Sequence, residues 1–109
     1  MKTKSYLKRK ADRLLSLKVR ARGVCEMCGQ QKENLQCAHV ISRSLLHTRY
    51  DLQNVMALCA GCHLRWHHDP LWSITWFNSV YPERAKYLLE EKNKLRKPDY
   101  LAIIKELEE

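Results

Sequence analysis

No run of apolar residues in this 109-residue sequence approaches the ~20 needed to cross a bilayer, so a membrane-spanning helix is excluded. The opening stretch, MKTKSYLKRKADRLL, carries charge and no apolar core, which argues against a secretory signal. Glycine and proline number only three each, and no internal repeat or low-complexity stretch is present. A collagen-like or coiled-coil chain is thereby excluded. Acidic residues are the minority, 12 against 20 Lys and Arg, for a formal net charge of +8. Such an excess points to an anionic partner, and nucleic acid is the first candidate. The length suits one small domain, which buries only about 60–70% of its surface. Its core is therefore thin and stands to gain from an additional staple. The 45% hydrophobic fraction is that of a folded chain.

Cysteine is what the sequence does have: Cys25, Cys28, Cys37, Cys59 and Cys62. An odd count without a secretory signal fits a disulfide framework poorly. Reduced thiols and a cytoplasmic location are expected. Four of the five form two Cys-x-x-Cys pairs with thirty residues between them. Each pair can hold one edge of a metal, and zinc favours the closed four-thiolate tetrahedron with Zn–S near ~2.3 Å. Such sites contribute on the order of 10 kcal/mol to folding in zinc-finger peptides. A structural Zn²⁺ on Cys25, Cys28, Cys59 and Cys62 is the expected staple. The competing readings, unrelated buried cysteines or a redox pair, do not account for two pairs framing one segment.

Periodicity places the elements coarsely. Residues 5–21 read as a basic amphipathic helix with Leu7, Ala11, Leu14 and Leu15 on one face and Gly23 beyond its end. Residues 25–31 read as a tight turn with Gly29 as its turn residue. LQCAHVI (35–41) and VMAL (55–58) read as short strands, with 42–54 mostly loop. A helix follows from about Ala60 to His68, before Pro70. From Pro70 onward the chain reads as helical, with an apolar stripe of Leu71, Ile74, Trp76, Phe77 and Val80 broken at Pro82. Residues 83–96 continue with Tyr87, Leu88 and Leu95 among charges, and a last helix after Pro98 carries Leu101, Ile104 and Leu107. The expected class is α+β, a single domain: a basic N-terminal helix (1–22), a zinc-stapled centre (24–69) and a C-terminal helical extension (70–109).

Within that centre, His39 ends the first strand, Asn54 precedes the second, and His63 follows Cys62. His67 lies four residues after His63, on the same face of a helix, so the two can hold one ion. Neutral imidazoles suit Zn, Mn, Ni or Fe and tolerate Mg less well.

The order His39, Asn54, His63 between cysteine pairs resembles the HNH endonucleases. The resemblance rests on Cys25-Glu-Met-Cys28, on Cys37-Ala-His39-Val-Ile41, on Asp51-Leu-Gln-Asn54-Val-Met-Ala-Leu-Cys59 and on Cys59-Ala-Gly-Cys62-His63. It covers about residues 24 to 68, and the combination AHVISR with DLQNVMALCAGCH is similar to the phage recombination-associated branch of that superfamily. The resemblance implies a ββα-metal fold and a metal-dependent DNA endonuclease or nickase. It implies His39 as the general base on water, a role that suits an imidazole with an unperturbed pKa of about 6.5. Asn54 would fix the loop and orient His39 by hydrogen bonds. His63, with His67, would bind a catalytic divalent ion, Mg²⁺, Mn²⁺, Ni²⁺ or Zn²⁺. The implied products are a 5′-phosphate and a 3′-hydroxyl. Many members carry Asp or His just before the base, and here that residue is Ala38. Three arrangements are then open. The ion rests on His63 and His67 with waters and substrate, or Cys37 or Asp51 substitutes, or DNA is bound with weakened or lost cleavage. Strand alternation puts Cys37 and His39 on one face and Ala38 on the other.

Other residues carry two readings each. Arg43, Arg49 and Arg65 are candidate phosphate contacts or solvated charges, as is His47 in the same loop. Trp66, Trp72 and Trp76 are candidate base-stacking residues, although helical spacing favours core packing for Trp72 and Trp76. The competing functions are a non-catalytic zinc-stapled nucleic-acid-binding module and a zinc-stapled protein adaptor. Neither needs His39, Asn54 and His63 in order. Location sharpens the charge: residues 1–22 hold nine Lys or Arg against one acid, Asp12, while the other 87 carry eleven of each sign. The first helix, with Lys8, Arg9 and Arg13, reads as an arm gripping the DNA backbone with salt-sensitive, sequence-blind affinity. Its removal is expected to spare the zinc site and the cutting chemistry.

Overall fold

A computed structural model describes residues 3–94 and 96–109; Lys2 of the basic arm and Leu95 of the apolar pattern lie outside the described residues. The first helix, α1 (Lys4–Arg20), starts where the Thr3 side chain accepts a hydrogen bond from Tyr6 N at 3.1 Å. Lys18 and Arg20 in its last turn favour the negative end of the helix dipole. Gly23, at φ +78°, turns the chain out of the helix into the cysteine-bearing turn.

The strands β1 (Gln36–His39) and β2 (Val55–Leu58) pair antiparallel, with Gln36 opposite Leu58 and His39 opposite Val55. β1 is shorter than the expected 35–41, because Val40 and Ile41 bond instead to Asn54, at the end of the connection. That connection is not simple loop: it holds a one-turn helix, α2 (Leu46–Arg49), and a 3-10 turn at Leu52–Asn54. The sheet packs between α1 and α3 (Ala60–His68), so all of β2 is buried and reads as a continuous apolar run.

The helices α4 (Pro70–Val80), α5 (Pro82–Lys92) and α6 (Tyr100–Glu108) complete the chain. In α4 the expected broad stripe is corrected to a narrow one. Ser73 and Phe77 are buried, while Leu71, Ile74 and Val80 are exposed, because α4 meets α3 and α5 along one side only. In α6 the buried face is Tyr100, Ile104 and Leu107, and Leu101 is 69% exposed. That face packs on Ala11, Leu15 and Val19 of α1, with Lys10 Nζ 3.8 Å from Glu108 Oε2 at the rim.

The first and last helices therefore share one core with the sheet, and α1 is no detachable arm. Removing residues 1–22 strips Ala11, Leu15 and Val19 from that core, so the expectation that the rest survives is corrected. Leu15→Ala is expected to cost about 2–5 kcal/mol in unfolding free energy, read from a urea denaturation curve. A loss below ~1 kcal/mol would show that α1 packs loosely.

Candidate active site

The four-cysteine cluster is built from two backbone devices. Around the first pair the chain folds back on itself: Cys25 N bonds Gln30 O at 3.0 Å, and Gly29 N bonds Cys25 O at 2.8 Å with Gly29 at φ +75°. The second pair opens α3, with Cys59 at the N-cap and Cys62 in the first turn. Glu26 joins the halves. Its N–H reaches Ala57 O at 2.8 Å, and its carboxylate accepts from Ala57 N at 2.6 Å, Arg22 at 2.8 Å and Arg84 at 3.2 Å.

All four sulfurs lie within 4.8 Å of one another, and Cys28 Sγ is 4.0 Å from Cys59 Sγ. Sulfurs sharing one tetrahedral zinc lie about 3.8 Å apart, so the donor set fits zinc in spacing and in chemistry. Burial works against ionising Cys25. The backbone amides of Cys28, Cys59 and Met27 outweigh it and pull that thiol down to about 6. Burial and the neighbouring sulfurs push Cys62 the opposite way. Four thiolates so close require a cation between them.

A second region lies on the far side of β1. A cleft of about 860 Å³ is walled by α1 through Asp12, Ser16 and Arg20, floored by Cys37 and His39, and closed by His63, Trp66 and His67. His39 Nε2 bonds Arg49 O at 2.9 Å. A carbonyl only accepts, so Nε2 carries the proton and Nδ1 keeps the lone pair. Burial lowers the His39 pKa below 6.5, helped by the positive Arg43 and Arg49 and opposed by the Arg49 carbonyl and Asp12. Trp66, buried, donates its indole N–H to His39 O at 3.3 Å, so it supports the strand from the cleft wall.

His63 and His67 converge, with their Nε2 atoms 3.1 Å apart. Two nitrogens bound at about 2.0–2.1 Å to one ion, near a right angle, lie about 3 Å apart, so the pair fits as two ligands of one ion. His63 Nδ1 donates to Gln36 Oε1 at 2.7 Å, which directs the Nε2 lone pair toward His67. Gln36 was not legible beforehand, since a bond spanning 27 residues leaves no local signal.

Asn54, 0% exposed, spends its amide on the connection: Oδ1 accepts from Ile41 N at 2.7 Å, and Nδ2 donates to Ile41 O at 3.2 Å and Thr48 O at 3.1 Å. Its hold on His39 is thus indirect, through the residues on either side of the loop. Ala38 is 1% exposed in the core, on the opposite face from Cys37 and His39. Asp51 does not substitute as a ligand. It caps the 3-10 turn and accepts from Tyr87, away from the cleft.

Of the candidate phosphate contacts, Arg43 is exposed and lines the cleft, while Arg9 and Arg13 are exposed on the adjoining side of α1. Lys8 is half-buried toward the packed side of the helix. Arg65 stacks on Trp72, 3.5 Å above the ring, and Trp72 stacks on Trp76. His47 bonds Glu91 O. Arg49 is corrected: it is only 9% exposed and turned inward, with Nε and Nη2 on the two Asp12 oxygens at 2.9 and 2.8 Å. A guanidinium so engaged has no free fork for a phosphate.

Residues 25–69 match the family model described as HNH endonuclease. The likeness is to an HNH domain, over that segment. Neither a curated protein nor a solved structure matches the chain. That match suggests a nuclease or nucleic-acid-binding role, here with a four-cysteine site suited to zinc. No helix among the described residues is long and apolar enough to cross a membrane. Those four cysteines are also the only group of three or more metal-ligating side chains among the described residues. Stripping zinc with a strong chelator is therefore expected to abolish most of the circular-dichroism signal of the HNH domain, in step with zinc released. Full retention of that signal by metal-free protein would refute a structural role.

Proposed function

We propose that this protein is a metal-dependent DNA endonuclease or nickase, with His39 as general base and a divalent ion on His63 and His67. The observation that carries the reading is the His39 ring. Its Nε2 proton is committed to Arg49 O, which leaves Nδ1 as the basic nitrogen of a ring that lines the cleft also holding the His63–His67 pair. In this reading, water attacks the scissile phosphorus while its proton passes to His39 Nδ1. The P–O bond to the 3′ oxygen breaks, which yields a 5′-phosphate and a 3′-hydroxyl. A divalent ion held by His63 and His67 would supply charge stabilisation at the phosphate and at the leaving oxygen, which takes a proton from solvent to become the 3′-hydroxyl. Arg20 and Arg43, which both line the cleft, hold the flanking backbone. Arg9 and Arg13 extend that grip along α1.

A second reading, a non-catalytic zinc-stapled nucleic-acid-binding module, is favoured by one specific observation. Ala38 faces the core, and among the described residues the His pair has no third His, Cys, Asp or Glu ligand within reach. Incubating supercoiled plasmid with Mg²⁺, Mn²⁺, Ni²⁺ or Zn²⁺ separates the two. Nicked or linear product is expected with at least one ion, and His39→Ala is expected to reduce the rate by at least about 10². Intact plasmid under every ion, with DNA still bound, establishes the second reading. At saturating metal, the base must be neutral to act. Activity should therefore fall as pH drops through a midpoint below 6.5, since burial depresses the His39 pKa.

Binding is tested without deleting α1. Each phosphate contact contributes about 0.9 to the slope of log affinity against log salt. The double variant Arg9→Gln, Arg13→Gln is expected to flatten that slope by about 1.8 if both grip phosphate. An unchanged slope would return both arginines to the role of solvated charges.

A further inference from the structure

The one acid of the basic helix reaches the candidate base. Asp12, on α1, holds Arg49 of α2 in a two-pronged ion pair at 2.9 and 2.8 Å, and Arg49 Nη1 donates to Arg43 O at 3.2 Å. The backbone carbonyl of the same Arg49 accepts the His39 Nε2 proton at 2.9 Å. α2 is four residues long, and a helix that short does not hold its shape unaided. Its last carbonyls have no partner inside the helix, so their direction is set by whatever anchors the residue that carries them. For Arg49 the charged anchor is its side-chain pair with Asp12, 37 residues away in sequence, beside the bond to Arg43 O and the hold of Asn54 on Thr48 O.

We propose that Asp12 is a positioning residue for the reaction: by clamping the Arg49 side chain it aims the Arg49 carbonyl at His39 and so fixes which ring nitrogen is basic. The proposal rests on the reading of His39 as the base. Physically, a carbonyl that swings away releases the Nε2 proton. The imidazole then samples both tautomers and both ring flips, and only one of them presents Nδ1 to the cleft. The clamp also ties α1, whose exposed arginines flank the cleft, to the geometry of the chemical step.

Asp12→Asn tests this because binding and chemistry move in opposite directions. It removes a negative charge from the cleft wall, so DNA affinity should hold or tighten. At the same time kcat should fall about ten- to a hundredfold, as for a misplaced catalytic group. Long-range nitrogen–proton NMR spectra of the His39 ring give a readout independent of cleavage. Wild type should show a single tautomer with the proton on Nε2, and Asp12→Asn a mixture. A purely structural role would lower stability but leave both the tautomer and the kcat of the folded protein unchanged, and either result overturns the proposal. Should Asp12→Asn lose its zinc and unfold, Arg49→Lys takes its place, keeping the charge while shortening the two-pronged grip, with the same expected changes. If wild type cuts no DNA, the nuclease reading falls, and the His39 tautomer still decides whether Asp12 aims that ring.

Discussion

Everything in the centre of this molecule hangs from the convergence of four sulfurs. Cys25 and Cys28 lie before the sheet, and Cys59 and Cys62 lie at the start of α3. One closed cluster therefore pins both ends of the segment that contains β1, the long connection and β2. A sheet of two four-residue strands has little stability of its own. Tied at both ends and pressed between α1 and α3, it becomes a fixed floor on which His39 sits opposite His63. The Glu26 carboxylate reinforces the tie by bridging the Cys25–Cys28 turn, β2, the turn after α1 through Arg22 and α5 through Arg84.

Polar side chains then do for the connection what the sulfurs do for its ends. Asn54 is wholly buried and spends its amide on backbone groups of Ile41 and Thr48, and Asp12 holds Arg49. A buried arginine requires a carboxylate, because an unpaired charge in that position costs about 3–5 kcal/mol. Basicity is thus divided by which arginines are engaged in ion pairs within the fold. Arg22 and Arg84 serve the Glu26 network and Arg49 serves α2, while Arg9, Arg13, Arg20 and Arg43 stay exposed. The +8 of the chain overstates the charge left free at the surface, since part of it is consumed in internal ion pairs.

Much of this was legible from local pattern. The bounds of β2 and α3 agree with the sequence reading, α1 is displaced by one residue, and the paired cysteines do converge. Strand alternation placed Cys37 and His39 together and Ala38 away from them, as observed. The exposed face of Leu71, Ile74 and Val80 was not legible, because periodicity shows which residues share a side of a helix but not whether a neighbour covers it. Leu101 misled for the same reason, and Tyr100 took its place in the core.

By itself the sequence determined the chemistry available: which ligands exist, at what spacing, and which helical or extended stretches carry them. These are properties of residues a few positions apart. Tertiary structure alone decided how those groups are engaged. Arg49 became an internal strut, Gln36 came to orient His63 and Asp12 came to face Arg49, through contacts spanning 27 to 37 residues. No periodicity encodes such pairs. They exist because burial forces each polar group to find a partner, and only the packed fold determines which partner lies within reach.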